Sequence, residues 1–215
     1  MNKRVAAIVA AVAVLAVMGF VTLVQSGPSS DGVRLMRQAD GSMVLADRGG
    51  QAPVLVLYED FECPVCRELH SRVDDTIERL AREGKVKVVY HPVTIFRDEP
   101  SRSNSIRAAA AARCVPESSW LAFRDELYAM QPVPHGVATG FTVEELVAAA
   151  RKAGAASAES CVNSQAYAEA HLRDTAGIRV EGTPTLVLDG RVMGNEAFDP
   201  AALEKAITGG DGVTV

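Results

Sequence analysis

The sequence predicts a mixed α/β fold: a sheet interrupted by a helical insertion, with one membrane-spanning helix ahead of it. Three observations carry this reading. Between residues 53 and 91 a helix-like run is flanked by two strand-like runs, a βαβ pattern whose strands pair in parallel. Residues 97–177 then read as helix after helix, with no strand alternation. Strand patterning returns at "TPTLVLDG", so the helices interrupt the sheet and form a subdomain.

The first element is the apolar run from Val5 to Val24, which follows Lys3 and Arg4. About 20 uncharged residues are enough to cross roughly 30 Å of hydrocarbon as a helix. Basic residues ahead of the run predict a cytoplasmic N-terminus and an exported remainder. The alternative is a cleaved signal peptide; Ser26 and Gly27 are small, but no A-x-A site is evident. No cysteine follows the run, which argues against a lipid anchor. Residues 1–24 are thus read as an anchor or signal peptide, 25–32 as a Gly/Ser/Pro-rich linker, and 33–209 as the folded domain. The net charge of −5 argues against nucleic acid as a partner.

"RLMRQADGSMVLADRGG" places a turn signal, Asp40-Gly41, between two short apolar runs, so a hairpin or edge strand opens the domain. "APVLVLYED" is apolar without alternation, as in a strand buried on both faces. A helix starts at the next cysteines, with Pro64 in its first turn and Gly84 at its end. Val65, Leu69, Val73, Ile77 and Leu80 recur along it at helical spacing. "KVKVVYH" is the second strand. In the insertion, an Ala-rich helix covers Ser105 to Cys114, and Ser118 or Ser119 caps a helix through Met130. Trp120, Phe123, Leu127 and Met130 form its core face. Thr142 and Glu145 have capping-box spacing for a helix to Lys152, and a further helix covers Ala158 to Thr175. After the strand at "TPTLVLDG", a turn at Asp189-Gly190 leads to "RVMG", and a last helix runs from Asp199-Pro200 through Ile207.

"YEDFECPVCRELH" carries the chemistry. A C-x-x-C pair has several uses. Haem attachment needs His after the second Cys, and Arg67 is there. Zinc needs four ligands; His70 is a third on the same helix, but Cys114 and Cys161 are solitary and nothing completes the set. The redox use fits a βαβ context. Cys63 falls at the helix start, where unpaired N–H groups and the dipole favour a thiolate. Cys66, one turn further in, is placed to resolve a mixed disulfide. Arg67 would support the thiolate; Glu59, Asp60 and Glu62 would oppose it. His91 and His135 have no Ser or Asp neighbour in sequence and are read as non-catalytic.

"VLVLYEDFECPVC", a helix, a helical insertion and then "GTPT" together resemble the DsbA family of thiol–disulfide oxidoreductases, within the thioredoxin-fold superfamily. The resemblance spans roughly Ala52 to Ile207. It implies a thioredoxin-like core with the helical subdomain inserted. It also implies a cis Pro184 beside the cysteines and a Thr183 that contacts the client chain, with Pro64 and Val65 shaping the same surface. The resemblance further implies that the protein donates its Cys63–Cys66 disulfide to reduced exported proteins, and that a membrane quinone-linked thiol oxidase regenerates it. No cofactor or metal is expected, and the protein is expected to act as a monomer. Two departures stand out. The central dipeptide is Pro-Val, so no His supports the thiolate. Such proteins often carry a buried carboxylate on the preceding strand, where this chain has Leu57; proton transfer would fall to Glu59, Glu62 or water.

An exported location makes a structural Cys114–Cys161 bridge the main reading, over free core thiols or a second redox pair. The competing functions are an isomerase or reductase of the same fold, and a non-catalytic client-binding module. Isomerases usually carry an N-terminal dimerisation domain, and Gln25 to Gln51 is too short for one.

Overall fold

The computed structural model describes residues 32–46, 51–133, 135 and 140–209. The segment at residues 5–24, read above as an anchor or signal peptide, lies outside the described residues. No helix among the described residues is long and apolar enough to cross a membrane.

Six strands form one sheet in the order β1-β2-β4-β3-β5-β6. β1 (Arg34–Arg37) and β2 (Met43–Ala46) are an antiparallel hairpin. Its turn uses Gly41 at φ +86°, and the Asp40 carboxylate accepts the Ser42 amide at 2.9 Å. β3 (Val54–Glu59) and β4 (Lys87–Pro92) pair in parallel at the centre. β5 (Thr185–Leu188) runs antiparallel to β3 and turns through Asp189 and Gly190, both at positive φ, into β6 (Arg191–Val192).

Helix α1 (Pro64–Arg82) connects β3 to β4. Leu69, Val73, Ile77 and Leu80 are buried on one side of it, and the chain leaves through Gly84 at φ +69°. Four helices and a short turn of helix follow before β5. They are α2 (Ser101–Cys114), α3 (Glu117–Ala129), α4 (Val143–Lys152), the five-residue α5 (Glu159–Asn163) and α6 (Ala168–Thr175). Ala108 to Ala112 are all buried; small side chains let α2 pack on every side. The closing helix α7 (Pro200–Thr208) packs on α1, with Asp199 accepting the Ala202 amide at 2.7 Å as its cap.

Several local expectations are corrected. β3 is not buried on both faces: Leu55, Leu57 and Glu59 are buried while Val54, Val56 and Tyr58 are only partly covered. Val65 is 45% exposed, off the core side of α1, because it lies in the first turn beside Cys63. The α3 cap is Pro116, with no side-chain bond, rather than Ser118 or Ser119. The helix expected over Ala158 to Thr175 is broken between α5 and α6, where Gln165 takes φ +49°. Thr142 and Glu145 do form a capping box, in both directions.

Candidate functional site

The site is built where β3 ends and α1 begins. Cys63 is the N-cap residue of α1, with extended backbone (φ −77°, ψ 119°), and Pro64 follows in the first turn, where a missing N–H costs nothing. The Cys63 carbonyl accepts the amides of Cys66 and Arg67 at 3.1 and 3.2 Å. Both cysteines are thiols and both are buried, Cys63 at 5% and Cys66 at 2% exposure.

The Thr183–Pro184 peptide is cis and precedes β5, the strand beside β3. The Cys63 thiol donates to the Thr183 carbonyl at 3.3 Å. The Thr183 hydroxyl is buried beside the pair and favours the thiolate form of either sulfur. Two segments 120 residues apart thus meet at one sulfur.

The two thiols are driven apart electrostatically. Cys63 falls to about 6, chiefly because the Cys66 thiol donates to its thiolate; burial opposes this, and Thr183 with the Cys66 and Val65 amides supports it. Cys66 is pushed well above its ordinary value, first by burial and then by the Cys63 charge. The Asp60 amide lies 3.5 Å from the Cys66 sulfur and donates to it. The resulting pair has one thiolate at the start of α1 and one proton held on the inner sulfur.

The family model described as thioredoxin matches residues 49–208. The chain belongs to the thioredoxin family. Among solved structures, oxidised DsbA of Mycobacterium tuberculosis is 28% identical, with a TM-score of 0.65 over 82% of this chain and 93% of that one. Reduced DsbG of the same organism, a disulfide bond oxidoreductase, is 28% identical, with a TM-score of 0.66 over 86% and 90%. MdbA of Actinomyces oris, a thiol-disulfide oxidoreductase, matches in fold at 22% identity, with a TM-score of 0.67 over 86% and 96%. No curated protein matches the sequence. This is a DsbA-like member of the thioredoxin fold and an oxidoreductase, and its C-x-x-C pair is suited to disulfide exchange.

Around this thioredoxin-type centre lie three fully buried acids in four residues: Glu59, Asp60 and Glu62. Each has a different fate. Glu59 accepts three bonds from Arg124 at 2.9 to 3.1 Å and one from the Tyr128 hydroxyl at 2.7 Å. Arg124 also donates to Asp74 at 2.7 Å and lies over the rings of Tyr90 and Tyr128. Burial works against the guanidinium, but Asp74 and Glu59 outweigh it and hold it charged. This network fastens α3 to β3 and α1. Glu62 accepts the Asn104 side-chain amide at 3.1 Å and lies 3.3 Å from His135; burial raises it. Asp60 accepts the amides of Ile95 and Glu62 at 2.9 and 3.0 Å, yet burial lifts it to about 7, and the Cys63 charge adds to this.

Other expected and unexpected residues complete the site. Pro64 and Val65 border an open groove with Arg67, Glu68 and Ser71. No bond among the described residues joins Arg67 to either sulfur. His70 makes no bond to the cysteines among the described residues and meets Asp125 at 2.9 Å and Asp74 at 3.5 Å. Gln131, two residues after α3, donates to the carbonyls of Phe61 and Cys63 at 2.7 and 3.0 Å and so clamps the loop that presents Cys63. Sequence reasoning missed Arg124, Tyr128 and Gln131. One signal was available for Arg124: it lies four residues after Trp120, among apolar positions of α3.

Proposed function

We propose that the protein is an extracytoplasmic thiol–disulfide oxidoreductase that donates its Cys63–Cys66 disulfide to reduced exported proteins. The observation that carries this reading is the Cys63 thiol brought down to about 6 beside a Cys66 thiol held protonated. A thiolate stabilised in the reduced enzyme makes the disulfide more oxidising, because reduction ends in a favoured state. That favours an oxidase over a reductase or isomerase.

In the proposed reaction a client thiolate attacks the Cys63 sulfur and Cys66 leaves with the bonding electrons. Cys66 takes a proton from Asp60, which is buried, near neutral in titration, and bonded through its amide to that sulfur. A second client thiolate then attacks the client sulfur joined to Cys63. The client disulfide forms and Cys63 leaves as a stabilised thiolate. Thr183, with Pro64 and Val65, forms the client surface: its backbone offers partners to any extended chain, and Val65 an exposed apolar contact. Pro184 keeps that edge beside Cys63. The Cys114–Cys161 bond supports an oxidising compartment. The segment at residues 5–24 anchors the domain to the membrane, where a quinone-linked thiol oxidase regenerates the monomeric enzyme.

The test is the reduction potential of the Cys63–Cys66 couple in a glutathione buffer, with oxidative refolding of a reduced client alongside. A potential above about −180 mV and faster client oxidation are expected. A value near about −270 mV, as in thioredoxin, would refute the oxidase. Membrane fractionation and protease protection of the full chain test the location.

A further inference from the structure

Protonating Cys66 raises a supply problem. The sulfur is 2% exposed and Asp60 is fully buried, so bulk water reaches neither donor nor acceptor. Glu59 is no substitute, because Arg124 and Tyr128 occupy its oxygens. Asp60 differs from it in one respect: hydroxyl groups lead away from it. The Ser105 hydroxyl, from α2, bonds its carboxyl. Ser105 Oγ also donates to Thr94 Oγ1 at 2.9 Å, and Thr94 Oγ1 lies 3.0 Å from His171 Nε2, on α6. Ser105 and His171 are buried, but Thr94 is only partly covered. Thr94 lines a cavity of about 500 Å³ between residues 93–97 and 175–181.

We propose that Ser105 and Thr94 relay protons between Asp60 and this cavity, so that Cys66 exchanges its proton with solvent there rather than through the opening used by clients. The inference rests on the disulfide-exchange reading above. When Cys66 leaves as a thiolate, Asp60 gives it a proton and becomes a carboxylate. The two hydroxyls then turn: Ser105, which had donated to Thr94, passes its proton to Asp60, Thr94 passes its own to Ser105, and cavity water supplies Thr94. One proton is taken from solvent for each Cys66 protonated, and no electrons move along the chain. In the reverse reaction each transfer runs backwards.

The groups that face Asp60 are Cys63 and Cys66 from α1, the Glu62 and Ile95 amides, and the Ser105 hydroxyl from α2. Beyond them, His171 faces Arg113, His91 and Asp174. Burial, followed by Arg113, lowers His171 to about 4, so it stays neutral from pH 5 to 8 and serves as an acceptor that orients Thr94. Glu62 is the rival donor, with His135 as its contact.

The experiment follows reduction of the oxidised full-length protein by a small dithiol, and the reverse reaction, by acid quench and thiol alkylation in H2O and D2O. Thr94→Val removes one relay hydroxyl with little change of shape, and Ser105→Ala removes the other. Each should slow exchange about tenfold at neutral pH while the equilibrium constant changes less than about twofold. The double variant should be no slower than the slower single one, because the steps are in series, and Thr94→Ser should restore the rate. Wild-type rates in Thr94→Val and Ser105→Ala would overturn the relay. So would failure of Thr94→Ser to rescue, or a loss that appears only in Glu62→Gln. A wild-type protein that exchanges no disulfide would overturn the exchange reading itself, and the relay with it.

Discussion

Cys63 and Cys66 stand at the start of α1 and are thiols, whereas Cys114 closes α2 and is bonded to Cys161 in α5, 47 residues away. Exposure does not explain the difference, since the thiol pair is the more buried of the two. Placement on helices does. The Val65 and Cys66 amides and the positive end of a helix lie behind the Cys63 sulfur and favour a thiolate. Cys114 sits at a helix C-terminus, where carbonyls point outward and a thiolate is disfavoured. Around the first pair the protein also places a carbonyl, a hydroxyl and a buried acid; the second pair joins two helices of the insertion. One chain therefore uses the same residue type as a reagent in one place and as a tie in another.

The sharpest way to break this contrast is to exchange the pairs' roles by mutation. Cys63→Ser should abolish exchange with both small disulfides and clients, and Cys66→Ser should accumulate mixed disulfides that Cys63→Ser does not form. Non-reducing gels after acid quench read both outcomes. Removing Cys114 and Cys161 together should leave exchange rates near wild type. Equal trapping by Cys63→Ser and Cys66→Ser would reverse the assignment of nucleophile and resolver.

A second effect should appear in stability alone. The Cys114–Cys161 bond closes a loop of 47 residues, worth about 4 kcal/mol in the unfolded chain on entropic grounds. Urea unfolding of Cys114→Ala/Cys161→Ala should show that loss, with the reduction potential of Cys63–Cys66 unchanged. A large shift in the potential would mean that the two pairs are coupled.

Much of this was legible in the residues. The βαβ unit, the capping box and the positive-φ turn at Asp189-Gly190 are local patterns, and local patterns are written in local sequence. The C-x-x-C pair and "TPT" are equally local, and each makes sense only once the sheet brings Thr183 to Cys63. The buried acids were harder. In sequence Glu59, Asp60 and Glu62 look alike, and proton transfer was assigned to Glu59, Glu62 or water. The structure separates them by partners from far away: Arg124 for Glu59, Asn104 for Glu62, and the Ile95 amide with Ser105 for Asp60. Those partners come from the insertion and from the loop after β4, and no spacing rule links them to the cysteines. The break between α5 and α6 was missed for a related reason, since Gln165 at positive φ has no glycine signal.

The smallest effect expected is a dependence of stability on pH that belongs to the thiol pair and is absent from the bonded one. Cys63 titrates at about 6 in the folded protein, against about 8.5 in an unfolded chain. A depressed acid contributes stability fully above its unfolded value and loses it as pH falls through its folded value. Reduced protein should therefore be more stable, relative to Cys63→Ala, at pH 8 than at pH 5, by about 2 kcal/mol. Asp60 works in the opposite sense. Its folded value is raised to about 7, so its contribution is present at low pH and is lost as pH rises through that value. It is present in both proteins, so most of its effect cancels in the difference. Cys66, raised well above its ordinary value, stays protonated across this window in both. Urea titrations from pH 5 to 8, under a mild dithiol that leaves Cys114–Cys161 bonded, measure the difference directly. A difference that stays flat with pH would mean that Cys63 is not a stabilised thiolate. The contrast between the two cysteine pairs would then rest on strand and helix geometry alone.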